Sequence, residues 1–306
     1  MPAPHYPLPP YLQGRITQTR YDNWLRVKSW ALLKRDRKRK RPYATPGSIT
    51  MYKDAVQAAV WASGVTDPYT GDALAWELID RWDPARAKGD SDYIRQFFPM
   101  PTIDHIDPYA DTLAFEICSW QVNLCKSFQD PPEFLDMCRK VVANCGSGRA
   151  EGGGAERFPA LYILPPFLDG VCTQKTYSKW LLCRAKELYI RDKKQKRPCA
   201  ANASRSLYRK AIHRAVGESG ALDPYTGDAM AWDRIGTWDT TKGKDNHDIF
   251  KTGFALLPTV DHLGPDAQEL DFEICSWLVN CCKSSFTRDE FIGICKKVAA
   301  HRPPAI

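Results

Sequence analysis

Long apolar runs are missing from this chain. The longest, such as 55–62, fall well short of the ~20 residues that a membrane-spanning helix needs. No membrane partner is therefore expected, and the expected location is cytoplasmic, or nucleus-associated in a eukaryote. The opening segment, MPAPHYPLPPYLQGR, lacks a basic start followed by an apolar core, so it does not read as a secretory signal. Compositional extremes are missing too. With 43% hydrophobic and 26% charged residues, the chain has the make-up of a globular protein. Disorder, a collagen-like fibre and a miniature disulfide scaffold are excluded. The 11 cysteines are odd in number, and a chain of 306 residues needs no covalent staples, so a reducing compartment is expected.

What is present is a long internal repeat. DPYTGDA occurs at 67–73 and again at 223–229, an offset of 156. The same offset relates Trp24 to Trp180, Arg41-Pro42 to Arg197-Pro198, and Trp76 to Trp232. One inserted residue then shifts the offset to 157. PTIDH at 101–105 matches PTVDH at 258–262, and FEICSW at 115–120 recurs at 272–277. Between 101–126 and 258–283, 17 of 26 positions are identical. The expected organisation is a first unit over 1–145, a Gly-rich linker over 146–157 and a second unit over 158–306. Each unit is large enough for its own core.

The pattern within a unit predicts a mainly helical α+β domain. Apolar spacing at Tyr21, Trp24, Leu25, Leu32 and Leu33 predicts a helix that runs into a basic cluster and stops near Pro42. Ser48 is a candidate N-cap for a second helix through Ala62, ended by Gly64. DPYTG reads as a turn, with Asp to bond its own backbone, Pro to fix φ and Gly to permit unusual dihedrals. Strands are expected at about Thr102–Asp104 and Ala114–Cys118, then a short helix with Asn123 and Lys126, and a closing helix over Glu133–Val142. The second unit predicts helices near 176–190, 205–216, 277–284 and 287–300.

Three residue types recur at fixed spacing: Asp104, His105 and Asn123 in the first unit, and Asp261, His262 and Asn280 in the second. The His-to-Asn interval is 18 residues in both. An Asp-His pair at a strand end, with Asn on the helix after the next strand, resembles the HNH, or ββα-metal (His-Me finger), endonucleases. The resemblance is carried by 101–126 and 258–283, and more loosely by the DPYTG turn. It implies two tandem ββα-metal motifs in one chain. Asp104 with Asn123, and Asp261 with Asn280, would each hold a divalent metal, Mg²⁺ or Mn²⁺. His105 and His262 would each activate a water. A carboxylate and an amide oxygen are hard ligands that suit such ions. An imidazole takes a proton readily near neutral pH. Lys126 and Lys283, three residues past each Asn, would meet a phosphate. The chain departs from the family pattern in three ways. The His-to-Asn interval is short, the middle Asn that orients the histidine is absent, and so are zinc-holding CxxC pairs. Another group must orient the ring.

The net charge of +7 is mild, but it is concentrated. Seven of eight residues over 34–41 are basic: Lys34, Arg35, Arg37, Lys38, Arg39, Lys40 and Arg41, around the single acid Asp36. The matching run over 191–197 has five: Arg191, Lys193, Lys194, Lys196 and Arg197. Such clusters neutralise phosphates and confer orientation and affinity without sequence specificity. A solvated helix face or a nuclear-localisation-like patch is the plainer alternative. Cys118, Cys125 and Cys138 recur as Cys275, Cys282 and Cys295, three per unit where a four-ligand zinc site needs four. They read as buried thiols, and structural zinc is not expected. Cys145, Cys172, Cys183 and Cys199 have no counterparts in the repeat. Most tryptophans read as core.

The expected function is a metal-dependent DNA endonuclease with two active sites in one monomeric, pseudo-dimeric chain. RNA is also open to it, because the chemistry acts on either backbone. The alternative is a non-catalytic nucleic-acid-binding protein derived from a duplicated HNH unit. A protein-interaction scaffold is a third reading.

Overall fold

Helix α1, Gln18–Lys38, begins where the Thr17 side chain accepts from the Arg20 amide at 3.3 Å. Its buried residues recur at three- or four-residue spacing, at Tyr21, Trp24, Leu25, Ser29, Leu32, Leu33 and Asp36, so one stripe faces the core. Helix α2, Ile49–Ser63, is capped by Ser48, which accepts from Met51 N, and it ends at Gly64 with φ 74°. The Ser48 cap and the Gly64 stop are those the sequence predicts; the Thr17 cap is not among its readings. The computed structural model describes residues 6–88, 90–107, 111–146, 162–237, 253–264 and 268–301. The Gly-rich stretch 147–157 and Trp238 lie outside them.

The first unit continues with a short helix α3 (Ser91–Arg95) that the sequence reading does not include. Strand β1 (Pro101–His105) and strand β2 (Phe115–Ser119) pair antiparallel, with Asp104 opposite Glu116 and His105 opposite Phe115. Helix α4 (Trp120–Lys126) follows directly, its first turn capped by Ser119, which accepts from Val122 N. Helix α5 spans Pro131–Gly146. Helices α1 and α2 pack on each other, α2 packs on β2, and α4 packs on both strands. With the hairpin covered on both sides, all five residues of β1 are buried.

The second unit repeats this order. It comprises α6 (Gln174–Gln195), α7 (Arg205–Ser219), β3 (Pro258–His262), β4 (Phe272–Ser276), α8 (Trp277–Lys283) and α9 (Arg288–His301). The protein is α+β and mainly helical, with two small antiparallel sheets among the described residues. No helix among the described residues is long and apolar enough to cross a membrane.

Trp24, Trp76, Trp180 and Trp232 are buried, and each pair meets edge to face at 5.6 Å and 5.4 Å. Their role is core packing, worth about 0.5–1.5 kcal/mol per aromatic pair beyond area burial. Cys118, Cys125 and Cys138 are fully buried thiols, as are Cys275, Cys282 and Cys295.

By packing, the chain divides into Met1–Asp136 with Lys297–Ile306, and Met137–Lys296. These units differ from the repeat-based boundaries at 145 and 158, because the division falls inside α5 and α9. Within the first unit Asp72 pairs with Lys297 at 2.6 Å. Within the second, Asp228 pairs with Lys140 at 3.2 Å. The DPYTG turn also anchors the hairpin. Asp67 Oδ1 accepts from Tyr69 N and Thr70 N, and Oδ2 accepts from Ser119 N at 2.6 Å, just before α4. Asp223 does the same with Ser276 N.

Candidate functional site

Successive residues of a strand face opposite sides of the sheet, and this sorts the motif. Thr102 and Asp104 face α4. There the Asn123 amide nitrogen donates to Thr102 Oγ1 at 3.0 Å, and the Lys126 ammonium donates to Asp104 Oδ2 at 2.8 Å. Lys126 also donates to the His105 carbonyl at 3.1 Å and lies 3.7 Å from Glu116. Ile103 and His105 face the helical core. The second unit matches. Asn280 reaches Thr259, and Lys283 donates to Asp261 at 2.7 Å and to the His262 carbonyl at 3.2 Å.

Two expectations are corrected here. Lys126 and Lys283 are not phosphate-facing: their side chains are 1% and 2% exposed and are spent on Asp104 and Asp261. A buried ammonium must be paired, and the strand-end carboxylate is the partner in reach. Asp104 and Asn123 are likewise not a bare pair of ligands, because each is already bonded to a neighbour. Tyr69 donates to Glu116, and Tyr225 to Glu273. Burial pushes the Glu273 carboxyl up, against the pull of Tyr225 and Lys283.

The group that orients the histidine is Asp36. It lies on α1, fully buried, with Oδ2 at 3.0 Å from His105 Nε2 and accepting from the Tyr52 hydroxyl at 3.0 Å. Burial raises the Asp36 carboxyl, but the hydrogen bonds from His105 and Tyr52 and the charges of His105 and Arg35 outweigh it. The net result is a value below the usual 3.8. An ionised carboxylate only accepts. In the neutral ring the proton therefore sits on Nε2, and Nδ1 keeps its lone pair. The Arg35 guanidinium lies 3.5 Å from that Nδ1.

Asp192 plays the same part in the second unit, 2.9 Å from His262 Nε2 and accepting from Tyr208 at 2.8 Å. Arg191 stands 3.4 Å from His262 Nδ1. A cleft of 390 Å³ here is lined by Arg191, Arg197, Asp261, His262, Asn280 and Ser284, among others. All three motif residues of this unit thus border one concavity, with two arginines.

Asp36 and Asp192 stand outside the residues the motif points to. One signal marks them: each is the single acid of its basic cluster. Asp36 also follows Leu32 by four and Leu33 by three, which puts it on the apolar stripe of α1 rather than on its charged face.

The cations around Asp36 take different places. Lys34, Arg35, Lys38, Arg39 and Lys40 are exposed. Arg37 is exposed as well, with its guanidinium donating to Ala44 O and Gly47 O, and Arg41 is buried, so Arg41 does not serve as an outward phosphate contact. In the second cluster Arg191, Lys194 and Lys196 are exposed. Lys193 donates to Ala201 O, and Arg197 donates to Gln195. The end of one helix thus supplies the carboxylate behind the histidine and the positive charge in front of it. No protein-family model, curated protein or solved structure matches the chain.

Proposed function

We propose that the chain is an HNH-type endonuclease that hydrolyses DNA phosphodiester bonds at two sites, one per unit. The carrying observation is the Asp–His dyad with an arginine at Nδ1, built twice. His105 and His262 are the bases: Nδ1 takes a proton from water, whose oxygen forms the new bond to phosphorus as the ester P–O bond breaks. Asp36 and Asp192 hold each ring in the tautomer this requires and stabilise the imidazolium that forms. Arg35 and Arg191 place the scissile phosphate in front of the base. RNA has the same scissile bond and is a further substrate class to test.

The donor set suits a hard divalent ion in kind. The amide nitrogen of Asn123 is used on Thr102, which leaves its oxygen as an acceptor, and each Asp brings a carboxylate. Asp104 with Asn123, and Asp261 with Asn280, would hold Mg²⁺ or Mn²⁺, sharing each carboxylate with the neighbouring ammonium. Bound there, the ion would stabilise charge on the phosphate and the leaving oxygen.

A second reading is supported by that ammonium. Lys126 already neutralises Asp104, as expected of a unit that grips nucleic acid without cutting it. Plasmid incubated with the protein and Mg²⁺ or Mn²⁺ separates the two. Two active sites give cleavage by the wild type, nicking by His105→Ala and by His262→Ala, and none by the double variant. Each lost base costs roughly 10²–10⁴ in rate at its site. Salt-dependent binding with no nicking at all would establish the binding-only reading.

A further inference from the structure

We propose that Asp192, Cys199 and His262 form a site for a soft divalent transition metal, Zn²⁺ above all, present in the second unit and absent from the first. It differs in ligands and in chemistry from the hard-ion site at Asp261 and Asn280.

The three side chains are buried, and their ligand atoms all lie within 4.8 Å of one another. Among the described residues no other group of three His, Cys, Asp or Glu side chains is so placed. Chain geometry explains the meeting. Helix α6 ends at Gln195, and the turn over Pro198–Ala200 folds back beside it, returning Cys199 to Asp192. Donors around zinc stand about 2.0–2.3 Å from the ion, so small side-chain rotations close the triad on it. The carboxylate has an oxygen to spare: Asp192 Oδ1 is buried and accepts no hydrogen bond, with Arg197 Nε and Arg191 Nε no nearer than 3.5 and 3.7 Å. Asp36 Oδ1 of the first unit is likewise unpartnered, so Cys199 is what separates the two units.

Thiolate, imidazole and carboxylate select Zn²⁺ over Mg²⁺, and three protein ligands leave a fourth position open. The charges balance. Binding releases the Cys199 thiol proton to solvent and moves the His262 ring proton from Nε2, where Asp192 holds it, to Nδ1, from which Arg191 must turn aside; the ion's two positive charges meet one thiolate and one carboxylate. The two arginines then face a neutral group rather than a cation.

The repeat supplies the control. Tyr43 occupies the position of Cys199, two residues after Arg41 as Cys199 is two after Arg197. Its ring lies 6.4 Å from that of His105. Burial and the Asp36 charge push its phenol up to about 12, so it is a poor ligand.

Zn²⁺ on the His262 imidazole removes the proposed base. This consequence rests on the endonuclease reading; the metal site does not. Co²⁺ titrated into the reduced full-length chain is expected to bind at one equivalent with a sulfur-to-cobalt charge-transfer band. Cys199→Ser is expected to lose the band and weaken binding at least ~100-fold, more than loss of an outer partner does. Tyr43→Cys is expected to add a second equivalent. A wild type without the band, or a band unchanged in Cys199→Ser, overturns the site. In the plasmid assay, Zn²⁺ is expected to stop the cleavage left in His105→Ala and spare that left in His262→Ala; equal inhibition of both overturns the selective silencing. Cobalt binding as expected with no variant cutting DNA leaves the metal site standing and removes the nuclease reading.

Discussion

Lys126 is a primary ammonium, 1% exposed, held between Asp104 at 2.8 Å and Glu116 at 3.7 Å. Replacing it with Met keeps most of the volume and removes the charge from two carboxylates that are themselves only 13% and 14% exposed. Breaking a buried pair from one side costs about 3–5 kcal/mol. Lys126→Met is therefore expected to lower unfolding stability by that much in urea. The double variant Asp104→Asn/Lys126→Met should lose less than the sum of the two singles, because neither partner is left alone; strict additivity would show that the pair does not couple. Asp36 gives a pH-dependent counterpart. Its carboxyl is held below the usual 3.8 in the folded state, so its contribution is fully present above 3.8 and is lost as pH falls through the lower, folded value. The stability advantage of wild type over Asp36→Asn is expected to persist down to 3.8 and to shrink only below it. An advantage that disappears well above 3.8 would place the stabilising charge elsewhere.

At the scale of elements, the Ser48 cap, the strand pair and the strand-end Asp-His were legible because each rests on local rules. Ser48 precedes an apolar run, Gly64 ends it, and PTIDH and FEICS have the residue types of short buried strands. Asp36 was not legible by the same means. An acid inside a run of cations reads as solvated charge, and only its spacing from Leu32 and Leu33 places it on the buried face of α1. Lys126 was misread for the converse reason: on a short helix of seven residues its face is decided by tertiary packing on β1, not by periodicity. The turn after that helix is a further element-level feature. Ser127 and Ser284 adopt φ 55° and 49°, each donating its amide to the Asn carbonyl four residues back. A residue with a Cβ is strained there by about 1–3 kcal/mol, and glycine is not, though it gives back about 0.5–1 kcal/mol in chain entropy. Ser127→Gly and Ser284→Gly are each expected to raise stability by about 1 kcal/mol. Unchanged or lowered urea midpoints would mean that the serine side chains offset the strain.

At the scale of the whole molecule, the net charge of +7 understates what nucleic acid would meet, because the excess lies on two helix ends. In the first unit Lys34, Lys38, Arg39 and Lys40 are exposed, Arg37 is exposed but bonded to the Ala44 and Gly47 carbonyls, and Arg41 is buried. Affinity for duplex DNA should therefore fall steeply with salt, each neutralised phosphate adding about 0.9 to the slope of log K against log salt. Changing those four residues to Gln is expected to reduce the slope by up to roughly 4. In the second unit, changing Lys194 and Lys196, exposed at the end of α6, is expected to reduce it by up to roughly 2. Two different decrements, in the order of the exposed charges, would identify both helix ends as phosphate contacts. A slope that neither set of substitutions moves would leave the clusters as solvated helix faces and shift the nucleic-acid contact to another surface. Because the decrements are read from binding alone, they test the two patches whether or not either unit cuts.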